Sequence, residues 1–144
     1  MYSYRNYGII NYTGDLMTNK IEISYTAIFK YDTDRQKYQY QGEAWYEKKD
    51  DSVVISFVDG ENKTSLRVQE QEVYLQNNDS CLQLQKGVII HNQYQTMYGA
   101  MHIDGRLETV EIGDTIKIRY QLLDQGSLLS TVYILITFSG GLHV

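Results

Sequence analysis

Apolar and polar residues alternate with a period of two along almost the whole chain, and no proline breaks the pattern. Segments 73–75, 115–122 and 128–138 show it most clearly. Successive side chains on a strand point to opposite faces, so each such segment has one dry side and one wet side. From about residue 20 onward the pattern predicts roughly ten short strands separated by polar turns. They cover residues 20–30, 37–47, 53–58, 64–69, 72–76, 81–85, 88–96, 100–112, 115–123 and 128–138, with a bend expected at Gly105. Asp59-Gly60-Glu61-Asn62 is a strong hairpin signal. No long stretch has helical spacing.

Short strands joined by sequential hairpins predict an all-β fold. A single closed antiparallel up-and-down barrel of about 8–10 strands is favoured, since closure removes exposed strand edges. The length of 144 residues suits one domain with a core of its own. Fourteen tyrosines fit the same picture, because tyrosine favours half-buried strand positions where the ring is dry and the hydroxyl finds a partner.

Charge narrows the function classes. The net charge is −5, and Lys48-Lys49 is followed at once by Asp50-Asp51. Tight non-specific nucleic-acid binding needs a basic surface, so no nucleic-acid partner is expected. An anionic membrane surface is disfavoured for the same reason. There is no apolar run of about 18 residues that would form a spanning helix, and residues 1–16 lack the apolar centre of a signal peptide. A lone Cys81 cannot form an internal disulfide, which favours a reducing, cytoplasmic setting. Three glycosylation sequons begin at Asn11, Asn62 and Asn78, but Asn, Asp and Ser belong in turns in any case.

Several segments are similar to the YwiB family of uncharacterised bacterial barrel proteins. They are Gln41-Gly42-Glu43-Ala44-Trp45-Tyr46, Thr64-Ser65-Leu66-Arg67-Val68, Tyr94-Gln95-Thr96-Met97-Tyr98-Gly99, Ile118-Arg119-Tyr120-Gln121-Leu122 and Gly140-Gly141-Leu142-His143. The resemblance begins near Thr18. It implies a calycin-like barrel, related in shape to lipocalins, and a cytosolic bacterial protein; it implies no activity. The family's middle is longer around residues 107–115, so a trimmed loop is expected there. Residues 1–16 are unmatched. Gly14-Asp15 can be encoded by a purine-rich stretch resembling a ribosome-binding sequence just before Met17. The expected division is therefore an N-terminal extension, 1–16, read as a misassigned leader, and a barrel domain, 17–144. The alternative is an ordinary N-terminal arm or an extra strand.

Candidate chemistry is sparse. If 88–96 pairs with 100–107 through the Tyr98-Gly99 turn, His91, Gln93 and Gln95 share a polar outer face with His102, Asp104 and Arg106. A zinc site needs three or four converging ligands, and no such spacing exists, so no metal or cofactor is expected. Cys81 has no basic neighbour to activate it. No nucleophile, base and orienting group fall into an order that suggests catalysis, and no catalytic residue is assigned. Asn92, Tyr94, Thr96, Tyr120 and Ser130 are polar residues on the expected inner face. Buried polar groups must be satisfied, hold water or line a cavity. The candidate site for a small, partly apolar ligand is therefore Asn92, Tyr94, Thr96, Tyr98 and Tyr120, with Tyr46, Trp45, Tyr38 and Tyr40 as an aromatic rim. The competing reading is a solid core with tyrosines bonded to carbonyls. In the last strand, Leu129, Tyr133 and Leu135 make an unusually apolar outer face. They mark a candidate homodimer or protein-interaction surface, or a face covered by the N-terminal arm.

Overall fold

A computed structural model describes residues 17–96 and 98–139; for residues 17, 18 and 94–96 it describes the backbone. The expected leader, residues 1–16, lies outside the described residues. Ten strands follow one another: β1 (Met17–Lys30), β2 (Arg35–Lys49), β3 (Ser52–Asp59), β4 (Asn62–Val68), β5 (Glu72–Asn77), β6 (Ser80–Gln85), β7 (Ile90–Thr96), β8 (Gly99–Ile112), β9 (Thr115–Asp124) and β10 (Ser127–Phe138). Their spatial order is β6-β5-β4-β3-β2-β1-β10-β9-β8-β7. Neighbours pair antiparallel throughout, and a long ladder from Ile23–Phe138 to Lys30–Thr131 joins β1 to β10. The ribbon curls so that its two edge strands, β6 and β7, face each other.

The alternation sorts as expected. Ile23, Tyr25 and Ala27 of β1, Val53, Ile55 and Phe57 of β3, Ile116, Ile118 and Tyr120 of β9, and Val132, Ile134 and Ile136 of β10 are all buried in one core. Burying one such aliphatic or aromatic side chain contributes about 1.5–3 kcal/mol relative to leaving it in water. The β7–β8 register, Ile90–Gly105 to Thr96–Gly99, matches the expected hairpin.

Closure is incomplete, which corrects the expectation of a sealed barrel. No ladder joins β6 to β7 among the described residues. Isolated bridges, Gln85–Val88 and Lys86–Leu107, hold the seam near the β6–β7 connection. There the Gly87 N–H donates to the Leu107 carbonyl at 3.0 Å. Halfway along, the Asn92 side chain takes the place of a neighbouring strand. Its Oδ1 accepts from the Gln83 N–H at 2.9 Å, and its Nδ2 donates to the Gln83 carbonyl at 3.0 Å and the Ile90 carbonyl at 3.3 Å.

No break in pairing marks Gly105, where a bend is expected. β8 runs on through Gly105, and its irregularity comes at Glu108, the extra residue between the pairs Leu107–Tyr120 and Thr109–Arg119. Gly105 is needed for close approach: a Cβ there would lie 2.6 Å from Leu84 Cδ2 across the seam. Leu129 is a second bulge residue, between the pairs Leu128–Leu123 and Ser130–Leu122.

A second gap opens on the other side. β2 pairs with β3 only from Trp45–Ser56 to Lys49–Ser52, so the first part of β2 and the end of β3 splay apart. Aromatic rings fill the splay. Tyr40 stacks on Phe57 at 4.3 Å, and Tyr25 meets Phe57 at 5.0 Å and Tyr38 at 5.9 Å. The Tyr38 hydroxyl donates to Asp59 Oδ2 at 2.8 Å and clasps the two strands.

Candidate functional site

The splay and the seam both widen the end of the barrel that carries the β1–β2, β3–β4, β5–β6, β7–β8 and β9–β10 turns. A cavity of about 640 Å³ occupies this end. Its size falls within the roughly 300–1,000 Å³ of small-molecule sites. One wall is apolar and aromatic: Tyr25, Ala27 and Phe29 from β1, Tyr38 from β2, Ile103 from β8, Tyr120 and Leu122 from β9, and Ile134 from β10. The other comes from the β3–β4 and β5–β6 hairpins: Asn62, Thr64, Asn77, Asn78, Asp79 and Ser80, with Leu75 and Leu82 behind them. The lining thus includes residues on both sides of the β6–β7 seam.

The room exists where small inward residues interrupt the large ones. Ala27, Thr64, Ser80 and Ser130 stand where the other end carries Leu, Ile or Val. The polar wall is largely satisfied within itself. Thr64 Oγ1 donates to Asn77 Oδ1 at 3.0 Å, Asn78 Nδ2 donates to Asn62 Oδ1 at 3.3 Å, and Asn78 Oδ1 accepts the Lys63 N–H at 3.0 Å. Burial, the hydrogen bond to Asp59 and its charge push the Tyr38 pKa up to about 12. Among the described lining residues there is one charged side chain, Asp79, and no Lys, Arg or His.

The candidate residues distribute unevenly. Tyr120 lines the cavity, as does Tyr38 of the expected rim. Tyr98 sits in the β7–β8 turn at the same end and is 92% exposed. The side chains of Tyr94 and Thr96 lie outside the described residues. Asn92 is buried, and its amide is engaged at the seam. Tyr46 faces inward in the other half of the barrel, edge-on to Phe138 at 6.1 Å, and its buried hydroxyl has no hydrogen-bond partner. Burial raises its pKa. Trp45 is on the outer face beneath Lys20, whose Nζ lies 5.5 Å from the ring centre. Tyr40 leans over Gly42 and donates to the Glu43 carbonyl at 2.6 Å.

On the outer face of β10, Leu129 and Leu135 are exposed. Tyr133 is half-buried under the Arg119 guanidinium at 5.5 Å, and Arg119 Nε in turn lies 2.8 Å from Glu108 Oε1. His91 Nδ1 lies 2.6 Å from Asp104 Oδ1 on the polar outer face. Partial burial pushes the Cys81 thiol up, away from ready ionisation. Among the described residues no cluster of three or more His, Cys, Asp and Glu is placed to hold a metal ion.

The polar wall escaped the reading of the sequence, because Asn62, Asn77, Asn78 and Asp79 look like turn residues and sequons. Parity offered one signal. Thr64 and Ser80 fall on the inward phase of their strands, next to those turns.

A ten-stranded, nearly closed barrel with a cavity at one end defines the class. The chain belongs to the family described as Domain of unknown function (DUF1934), whose model matches residues 19–136. The crystal structure of the ywiB protein from Bacillus subtilis is similar in fold, with a TM-score of 0.68 and 14% sequence identity over 88% of this chain and 96% of that one. No curated protein matches the chain.

Proposed function

We propose that this protein is a cytosolic, calycin-like bacterial barrel that binds a small, partly apolar molecule without chemically altering it. The observation that carries the reading is the cavity of about 640 Å³ with one aromatic-aliphatic wall and one amide-hydroxyl wall. Such a site buries the apolar part of a ligand and orients its polar part by a few hydrogen bonds. Tyr38 and Tyr120 are the orienting groups, with Tyr98 at the mouth; Phe29, Ile103 and Ile134 are the apolar surface.

Native mass spectrometry of the protein taken from its own cells tests this. A noncovalent small-molecule adduct is expected, and Ala27→Phe, which projects a ring into the cavity, is expected to remove it. A bare chain in every preparation, or an adduct indifferent to Ala27→Phe, overturns the reading.

The exposed Leu129 and Leu135 favour a second reading, a homodimer or protein-interaction module built on the outer face of β10 with Tyr133. It requires a concentration-dependent mass in light scattering that Leu135→Asp abolishes.

A further inference from the structure

We propose that the cavity selects organic cations, in particular a protonated amine carrying an apolar group. The inference rests on the binding reading above and adds the charge of the ligand. The formal charge on the described lining is the carboxylate of Asp79, in the exposed β5–β6 turn. A second carboxylate, Asp59, stands one side chain further out, holding the Tyr38 hydroxyl at 2.8 Å. Lys30 and Lys63, at strand ends by the mouth, are exposed and occupy outward register positions.

An anion entering this space meets carboxylate charge and no guanidinium or ammonium. Burying an anion without such a partner is costly. Two of the neutral donors, the Thr64 hydroxyl and the Asn78 amide, are already engaged by Asn77 Oδ1 and Asn62 Oδ1. A cation meets the opposite. Five aromatic rings, Tyr25, Phe29, Tyr31, Tyr38 and Tyr120, contribute to the lining. Ring faces attract cations, and more strongly where water is partly excluded. The hydrogen bond from Tyr38 to Asp59 places negative charge beside its phenol oxygen and enriches that ring further. The apolar group would lie against Ile103, Leu122 and Ile134, with the ammonium toward Asp79.

Titration calorimetry of the full chain with three matched probes tests the charge preference: phenethylamine, phenethyl alcohol and hydrocinnamate. The amine is expected to bind about tenfold or more tighter than the alcohol, a difference of about 1.4 kcal/mol, with the anion weakest. Asp79→Asn is expected to weaken the amine severalfold and leave the alcohol unchanged. If the alcohol or the anion binds as tightly as the amine, or if Asp79→Asn leaves the amine unaffected, the cation preference falls while the binding cavity stands. If none of the three binds, the cavity reading falls and takes the preference with it.

Discussion

The two ends of this barrel follow one alternation rule and reach opposite results. At the end carrying the β2–β3, β4–β5, β6–β7 and β8–β9 connections, inward positions are Val53, Val68, Val73, Leu84, Leu107 and Ile116, all buried and in one cluster. At the other end they are Ala27, Tyr38, Thr64, Leu75, Ser80, Ile103 and Tyr120, around open space. Period two determines which side chains point inward. Their volumes and polarity determine whether the interior fills. A barrel of this size can therefore be solid and hollow along one axis, with close packing concentrated at one end and open space at the other.

The sharpest way to break this comparison is truncation. Leu84→Ala, at the filled end, is expected to cost about 2–5 kcal/mol in urea denaturation. Leu75→Ala, on the cavity wall, should cost less than half as much, because it enlarges an existing space. Equal losses would mean that the two ends are packed alike. Next comes the seam. Asn92→Ala leaves the Gln83 N–H and carbonyl without their partner, and a loss of about 1–3 kcal/mol is expected. Hydrogen exchange should accelerate at Gln83 more than at Leu66; uniform acceleration would deny Asn92 a local role.

Tyr46→Phe probes the filled end from the other direction. Its hydroxyl is buried without a hydrogen-bond partner, so removal should be neutral or stabilising by about 1 kcal/mol. A clear destabilisation would show that a bound water satisfies it. The smallest effect concerns pH. Because the folded state raises the Tyr38 pKa from 10.0 to about 12, it holds this proton more tightly than the unfolded chain does. The resulting stability is fully present below about pH 10 and is lost as pH rises through about 12. Tyr38→Phe should flatten that alkaline decline in a melting-temperature series. A decline of unchanged steepness would assign it to other groups.

Much of this architecture was legible because alternation is a local property. Each strand, the β7–β8 register and the inward set of β10 from Ser130 onward follow from parity; Leu128 has the same phase, but the bulge at Leu129 leaves it exposed. Tyr120 follows on the same basis, whereas Tyr38, expected only as part of an aromatic rim, lines the cavity itself. What escaped depends on distant partners. Nothing near Asn92 announces that its amide would meet the Gln83 backbone, and nothing near Gly105 announces Leu84. Trp45 looked like a rim residue by composition, yet its phase puts it outside. The polar wall was hidden because turn residues carry the same letters whether they face solvent or a cavity.

The placement of β1 beside β10 has a consequence for how the molecule comes to be folded. The two chain-distal strands form the middle of the ribbon, while the free edges fall between consecutive strands β6 and β7. Every other ladder zips between neighbours in the chain, but this one spans more than a hundred positions of sequence, as in the pair Ile23–Phe138. Such long-range pairing carries a large loop-closure cost and slows folding. During synthesis, the early six-strand sheet must wait with its β1 flank bare until the final strand emerges, so this flank is the chain's window of vulnerability to wrong partners.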